Sequence, residues 1–109
     1  MQEREIKDPI YSDLPMDEPE FVQIVIDFVP QLLAKLGEME RALDTRDFNE
    51  LAGLAHWLKG AGGTCGFGEF FEPSVGLEKA SKSLDVRDAR VALDQLNSLA
   101  SRIAIPENA

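Results

Sequence analysis

The sequence predicts an all-α domain, an antiparallel up-down four-helix bundle with an N-terminal arm or short extra helix. Three observations carry this. Apolar residues recur every three or four positions along most of the chain, no stretch alternates with the period of two that marks a strand, and Asp-rich or Gly-rich breaks divide the pattern into four segments joined by short connections.

Residues 1–16 read as an extended or loosely packed arm or linker, punctuated by Pro9 and Pro15, with Ile10, Tyr11, Leu14 and Met16 able to dock on the body. The bundle is expected to span 17–105. Asp17-Glu18-Pro19-Glu20 reads as a helix start, with an aspartate cap and an early proline. Phe21, Val25, Phe28, Leu32, Leu36, Met39 and Leu43 then form one apolar stripe to about residue 44. Pro30 lies inside this helix and is expected to kink or split it, because proline lacks the N–H that the helix needs there.

Thr45-Arg46 is a turn, and Asp47 with Glu50 resembles a capping box that opens a second helix over about 48–64. Its stripe is Leu51, Leu54, Leu58, Ala61 or Gly62, and Cys65. Cys65-Gly66-Phe67-Gly68 breaks the pattern. A third helix follows over 69–83, with Phe70, Phe71, Leu77, Ala80 and Leu84 inward; Pro73 and Gly76 weaken its first half and move its effective start toward 71–73. Asp85 caps the last helix, whose inward residues are Ala89, Leu93, Leu96, Ala100 and Ile103, and Pro106 to Ala109 form a frayed end.

A chain of 109 residues is one domain with room for one core. Its apolar fraction of 44% and charged fraction of 28% are ordinary for a globular protein. No apolar run approaches the ~20 residues of a membrane span. The charged N-terminus lacks the apolar region of a signal peptide, so a cytoplasmic location is expected. The net charge of −9 disfavours nucleic acid, whose phosphates it would repel. A single cysteine leaves no internal disulfide, and Cys65 reads as a buried thiol.

The chemistry gathers around His56, the one histidine. On a helical wheel it falls roughly 150° from the centre of the apolar stripe, so it faces water. Ala52 and Gly53 lie one turn before it, and Gly60 and Gly63 one and two turns after it. Each glycine inside a helix costs about 1 kcal/mol relative to alanine. A helix that accepts several around one exposed ring has given up stability to keep that ring open. Lys59 stands beside it at i+3. An open imidazole next to an ammonium group suits a nucleophile that receives an anionic group. Trp57 lies on the flank, where boundary packing competes with a place on a partner surface.

Other chemistries lack their parts. One His and one Cys on different helix faces fall short of the four ligands of a zinc site, so no metal is expected. Ser74, Ser81 and Ser83 have no glycine-framed nucleophile turn. Gly60-Ala61-Gly62-Gly63 lies within helical pattern and lacks the Lys-Ser/Thr of a phosphate-binding loop.

The segment Leu54-Ala55-His56-Trp57-Leu58-Lys59-Gly60-Ala61-Gly62-Gly63-Thr64-Cys65-Gly66-Phe67 resembles the signature of histidine-containing phosphotransfer (HPt) domains. Leu77-Glu78-Lys79-Ala80 is similar to that family's second signature block. The likeness covers residues 17 to about 103. It implies that His56 is the phosphoacceptor, through Nε2, and that Lys59 offsets the phosphoryl charge. It further implies that Gly60 admits the partner's active-site rim and that Glu78 hydrogen-bonds the other ring nitrogen. Lys82 matches a position that is often basic; by spacing alone Glu78 and Lys82 are an i,i+4 surface pair. Ala52, Gly63, Trp57 and Lys82 complete the expected binding face. Pro73 departs from the pattern, standing where the family usually has an apolar helical residue.

The resemblance implies a phosphoryl carrier in a two-component phosphorelay, not an enzyme with its own ATP site. His56 would take the group from a receiver-domain aspartyl phosphate and pass it to another receiver. The expected partners are response-regulator receiver domains, with a histidine kinase as a further candidate, and no nucleic acid or membrane. The chain is expected to be a monomer that binds no cofactor, the receiver supplying the magnesium ion. Two alternatives remain at this point: a kinase-substrate domain of a larger sensor kinase, and a non-catalytic helical adaptor. Trp57 stands where the dimerising hairpin of sensor kinases normally has an acidic residue, and the intact His56-x-x-Lys59-Gly60 argues against decay to an adaptor.

Overall fold

A computed structural model describes residues 8–105. Residues 1–7 of the arm and 106–109 of the expected frayed end lie outside the described residues. Four helices form an up-down bundle: α1 Pro19–Asp44, α2 Phe48–Thr64, α3 Phe71–Lys82 and α4 Val86–Ser101. Each packs on the next, and α1 closes the ring against α4. None is long and apolar enough to cross a membrane.

The helix ends explain why the connections are so short. α1, α2 and α3 finish in the same way. The first residue past the cap donates to a carbonyl three residues back, and the next donates five residues back. The pairs are Arg46 to Leu43 and Asp47 to Ala42, Gly66 to Gly63 and Phe67 to Gly62, and Leu84 to Ser81 and Asp85 to Ala80. The turning residue is left-handed each time, with φ of 60° at Arg46, 87° at Gly66 and 57° at Leu84. In two of the three, the residue that closes one helix opens the next. Asp47 and Asp85 accept side-chain hydrogen bonds from Glu50 N (3.1 Å) and Asp88 N (3.0 Å). The backbone N–H of Asp47 is already given to Ala42, so Glu50 does not complete a reciprocal box.

Three expectations need correction. The N-cap of α1 is Glu18, without a side-chain hydrogen bond, because Pro19 already occupies the first helical position and Asp17 falls one residue too early. Pro30 does not split α1: it sits on the exposed side, where the Ile26 carbonyl it leaves unpaired can be hydrated. The third helix starts at Phe71, within the 71–73 expected from Pro73 and Gly76, and not at Glu69. A 3₁₀ turn over Gly68–Phe70 precedes α3, which places Pro73 within the first turn, where no backbone donor is missed. Phe71 and Leu84 are exposed, Phe71 because the 3₁₀ turn rotates it off the inner face and Leu84 because it makes the left-handed turn.

The core is filled by Leu32, Met39, Leu51, Leu58, Leu77, Leu93 and Leu96, with Phe67 and Phe70 under the α2–α3 connection. Phe67 stacks on Phe28 at 6.1 Å between centroids and meets Phe70 edge-on at 6.2 Å. Glycine at 62 suits this packing, since a Cβ there would crowd Phe70 Cβ at 3.0 Å. Outside the core, Arg90 on α4 grips both oxygens of Glu40 on α1 at 2.7 and 2.9 Å, with Asn97 adding a third bond at 3.1 Å.

The described part of the arm is tied down rather than loose, and it contains no helix. Ile10 is buried and exchanges backbone hydrogen bonds with Arg102 (2.8 Å) and Ala104 (2.9 Å), forming an isolated parallel bridge with Ile103. Ser12 Oγ donates to the Cys65 carbonyl at 2.6 Å, and Asp13 N donates to Gly66 O at 2.8 Å. Only glycine fits at 66: its φ is left-handed, and a Cβ there would crowd Ser12 Oγ and lie 2.8 Å from Asp13 N.

Candidate functional site

His56 projects from the middle of α2, with 67% of its side chain exposed. Its neighbour Ala55 is fully buried, so the backbone beneath the ring is anchored while the ring stands in solvent. The surroundings are bare. A Cβ added at Gly53, Gly60 or Gly63 would meet nothing within 4 Å, so the bundle's own packing does not demand glycine at these three positions. Ala52 is half-buried at the near edge of the same face.

One ring nitrogen has a partner on the facing helix. Glu78, on the facing helix α3, places Oε2 at 3.2 Å from His56 Nδ1. Its other oxygen accepts from Lys59 Nζ at 3.2 Å, and Lys82 Nζ lies 3.3 Å from Oε2. Four of the residues singled out in the sequence thus meet in one cluster across two helices. Glu78 is its hub and its least accessible member, 14% exposed. Burial pushes the Glu78 carboxyl up. The hydrogen bonds and charges of Lys59 and Lys82 outweigh that and hold it below the usual glutamate range, so it is ionised at neutral pH. Among the described residues, Nε2 of His56 has no hydrogen-bond partner.

Trp57 is half-buried on the α1 side of this face. It packs on Phe28 at 6.3 Å between centroids, and Lys35 Nζ sits 5.6 Å from the centre of its ring. Together with Ile24, Phe28, Ala61 and Thr64 it lines a shallow groove between α1 and α2. Sequence reasoning missed Lys35 and Ile24. Both lie on another helix, and no spacing within one helix reveals a contact between two. Cys65 is buried, and burial pushes its thiol up, as suits an unreactive core residue.

The arrangement offers an exposed nucleophilic nitrogen with two ammonium groups nearby, on a surface cleared of side chains. The family model for the Hpt domain matches residues 20–104. The chain belongs to the Hpt domain family. Neither the curated proteins nor the solved structures contain a match to it. An Hpt domain is a helical phosphocarrier module of phosphorelays, without kinase activity of its own, and it interacts with receiver domains and kinases. In this Hpt domain the matched segment takes in the whole cluster around Glu78 and leaves the tied-down arm outside it.

Proposed function

We propose that this Hpt domain accepts a phosphoryl group on Nε2 of His56 from the aspartyl phosphate of a response-regulator receiver domain and passes it to a second receiver. The supporting observation is the single exposed imidazole whose Nδ1 faces an ionised carboxylate. A carboxylate only accepts hydrogen bonds, so the ring proton belongs on Nδ1 and the lone pair on Nε2. That lone pair attacks phosphorus. The N–P bond forms as the P–O bond to the receiver's aspartate breaks, and the electron pair leaves with the aspartate carboxylate. The Nδ1 proton stays in place, so the positive charge of the phosphorylated ring lies against Glu78. Transfer onward is the same step in reverse on another receiver.

Lys59 is assigned to offset the charge of the phosphoryl oxygens. Ala52, Gly60, Gly63 and Trp57 are assigned to the face on which the receiver rim docks. The receiver brings the magnesium ion, and this chain contributes no cofactor. Residues 17–105 are the carrier unit, residues 1–16 its arm, and the unit acts as a monomer beside cytoplasmic receivers.

The test is phosphotransfer from a panel of receivers labelled on aspartate, comparing the wild type with His56→Gln. Label that is lost in acid, kept in base and absent from the variant supports the reading. A folded wild type that takes label from no receiver, but does take it from a histidine kinase with ATP, would replace it with the kinase-substrate alternative. No label from either would leave the adaptor.

A further inference from the structure

The two lysines around Glu78 are not equivalent. Lys59 takes Oε1, the oxygen that His56 does not use, and is itself partly buried. Lys82 lies 3.3 Å from Oε2, the same oxygen that faces His56 Nδ1 at 3.2 Å, and its side chain is 67% exposed. We propose that Lys82 is a positioning residue that sets the proton affinity of the His56 ring by competing with Nδ1–H for Oε2 of Glu78. The inference rests on His56 being the reacting ring.

A carboxylate oxygen that also faces a cation is a weaker acceptor toward a second donor. Lys82 therefore loosens the hold of Glu78 on the Nδ1 proton, and its removal tightens that hold. The charged groups of the ring's cluster come from two helices. Lys59 comes from α2, and Glu78 and Lys82 come from α3. On α1 Lys35 lies over Trp57, and on α4 Arg90 is paired with Glu40 and with Asp94.

The consequence falls on phosphoryl release. When the group moves to a receiver carboxylate, the N–P bond breaks, its electron pair returns to Nε2, and the new P–O bond forms on the carboxylate. A ring that keeps its Nδ1 proton leaves as neutral imidazole, a better leaving group than the anion. By weakening the grip on that proton, Lys82 slows release and prolongs the phosphorylated state. A lysine in the last turn of α3 is also favourable toward the helix dipole, and that structural role alone would not alter the titration of a ring on another helix.

The experiment is an NMR titration of the single histidine in unphosphorylated protein, for the wild type, Lys82→Gln, Glu78→Gln and the double variant. It uses no phosphodonor, so its outcome is independent of whether phosphotransfer occurs. Lys82→Gln is expected to raise the proton affinity of the ring about twofold, the scale of an exposed ion pair, and Glu78→Gln to lower it. In the Glu78→Gln background, Lys82→Gln is expected to have little effect. Equal shifts in both backgrounds would mean direct repulsion without Glu78 as intermediary, and no shift in either would mean a purely structural lysine. Either result overturns the proposal.

Discussion

Glu78 of α3 reaches across to His56 of α2 and meets Nδ1 at 3.2 Å, while the same carboxylate holds Lys59 at 3.2 Å. One half-buried acceptor therefore orients the ring and keeps a cation close to it. Neither helix alone builds the site, and the packing of α2 on α3 is what aligns it.

Gly60→Gln separates stability from function. A Cβ at this position meets nothing, and glutamine is the better helix former by up to ~1 kcal/mol. The variant should melt a few degrees higher than the wild type and accept phosphoryl groups from a receiver more slowly. Thermal melts and single-turnover transfer check this. An unaltered transfer rate would contradict the idea that the glycines keep the approach open.

Lys59→Ala should leave the fold intact, since alanine suits a helix interior, and should slow transfer to His56 by roughly tenfold. The effect is smaller than that of an oxyanion donor in a dry site because water reaches Lys59. Rapid-quench kinetics with a labelled receiver measure it. The phosphorylated variant should also lose its label sooner.

Leu84→Gly should stabilise the domain by about 0.5–1 kcal/mol. Leu84 holds φ at 57°, costly for a residue with a Cβ, and the residue is 66% exposed, so little packing is lost. Urea denaturation of the two proteins reads the difference directly.

Acid should weaken the contact between α1 and α4. The hydrogen bonds from Arg90, joined by its charge and by Asn97, hold the Glu40 carboxyl below the usual range against the opposing effect of burial. A carboxyl lowered on folding adds stability above its unfolded value, and this is lost as pH falls through the lowered one. Both side chains are more than a third exposed, so screening limits the contribution to under about 1 kcal/mol. Denaturation between about pH 5 and pH 3 should show a shallower loss of stability in Glu40→Gln than in the wild type.

The helices and their stripes were legible because their signals are local: spacing for Leu32, Leu58 and Leu93, and Asp47 and Asp85 as caps. His56, Lys59 and Gly60 were legible for the same reason, since they share one helix face. The errors fall where a left-handed turn overrides an apolar side chain, as at Leu84, or where a 3₁₀ turn changes the phase, as at Phe71. What joins two elements left no periodic trace. Lys35 over Trp57, Ser12 on the Cys65 carbonyl and Arg90 on Glu40 are set by tertiary packing alone. Glu78 became a candidate through the family resemblance, because its own helix shows only an i,i+4 pair with Lys82.

The central claim is that Glu78 fixes the His56 tautomer so that Nε2 is the reacting nitrogen. NMR of the ¹⁵N-labelled, phosphorylated protein, read at the ring nitrogens, tests it most directly. The account predicts phosphorus on Nε2 of His56 with a proton retained on Nδ1. Phosphorus on Nδ1, or on any residue other than His56, would contradict it.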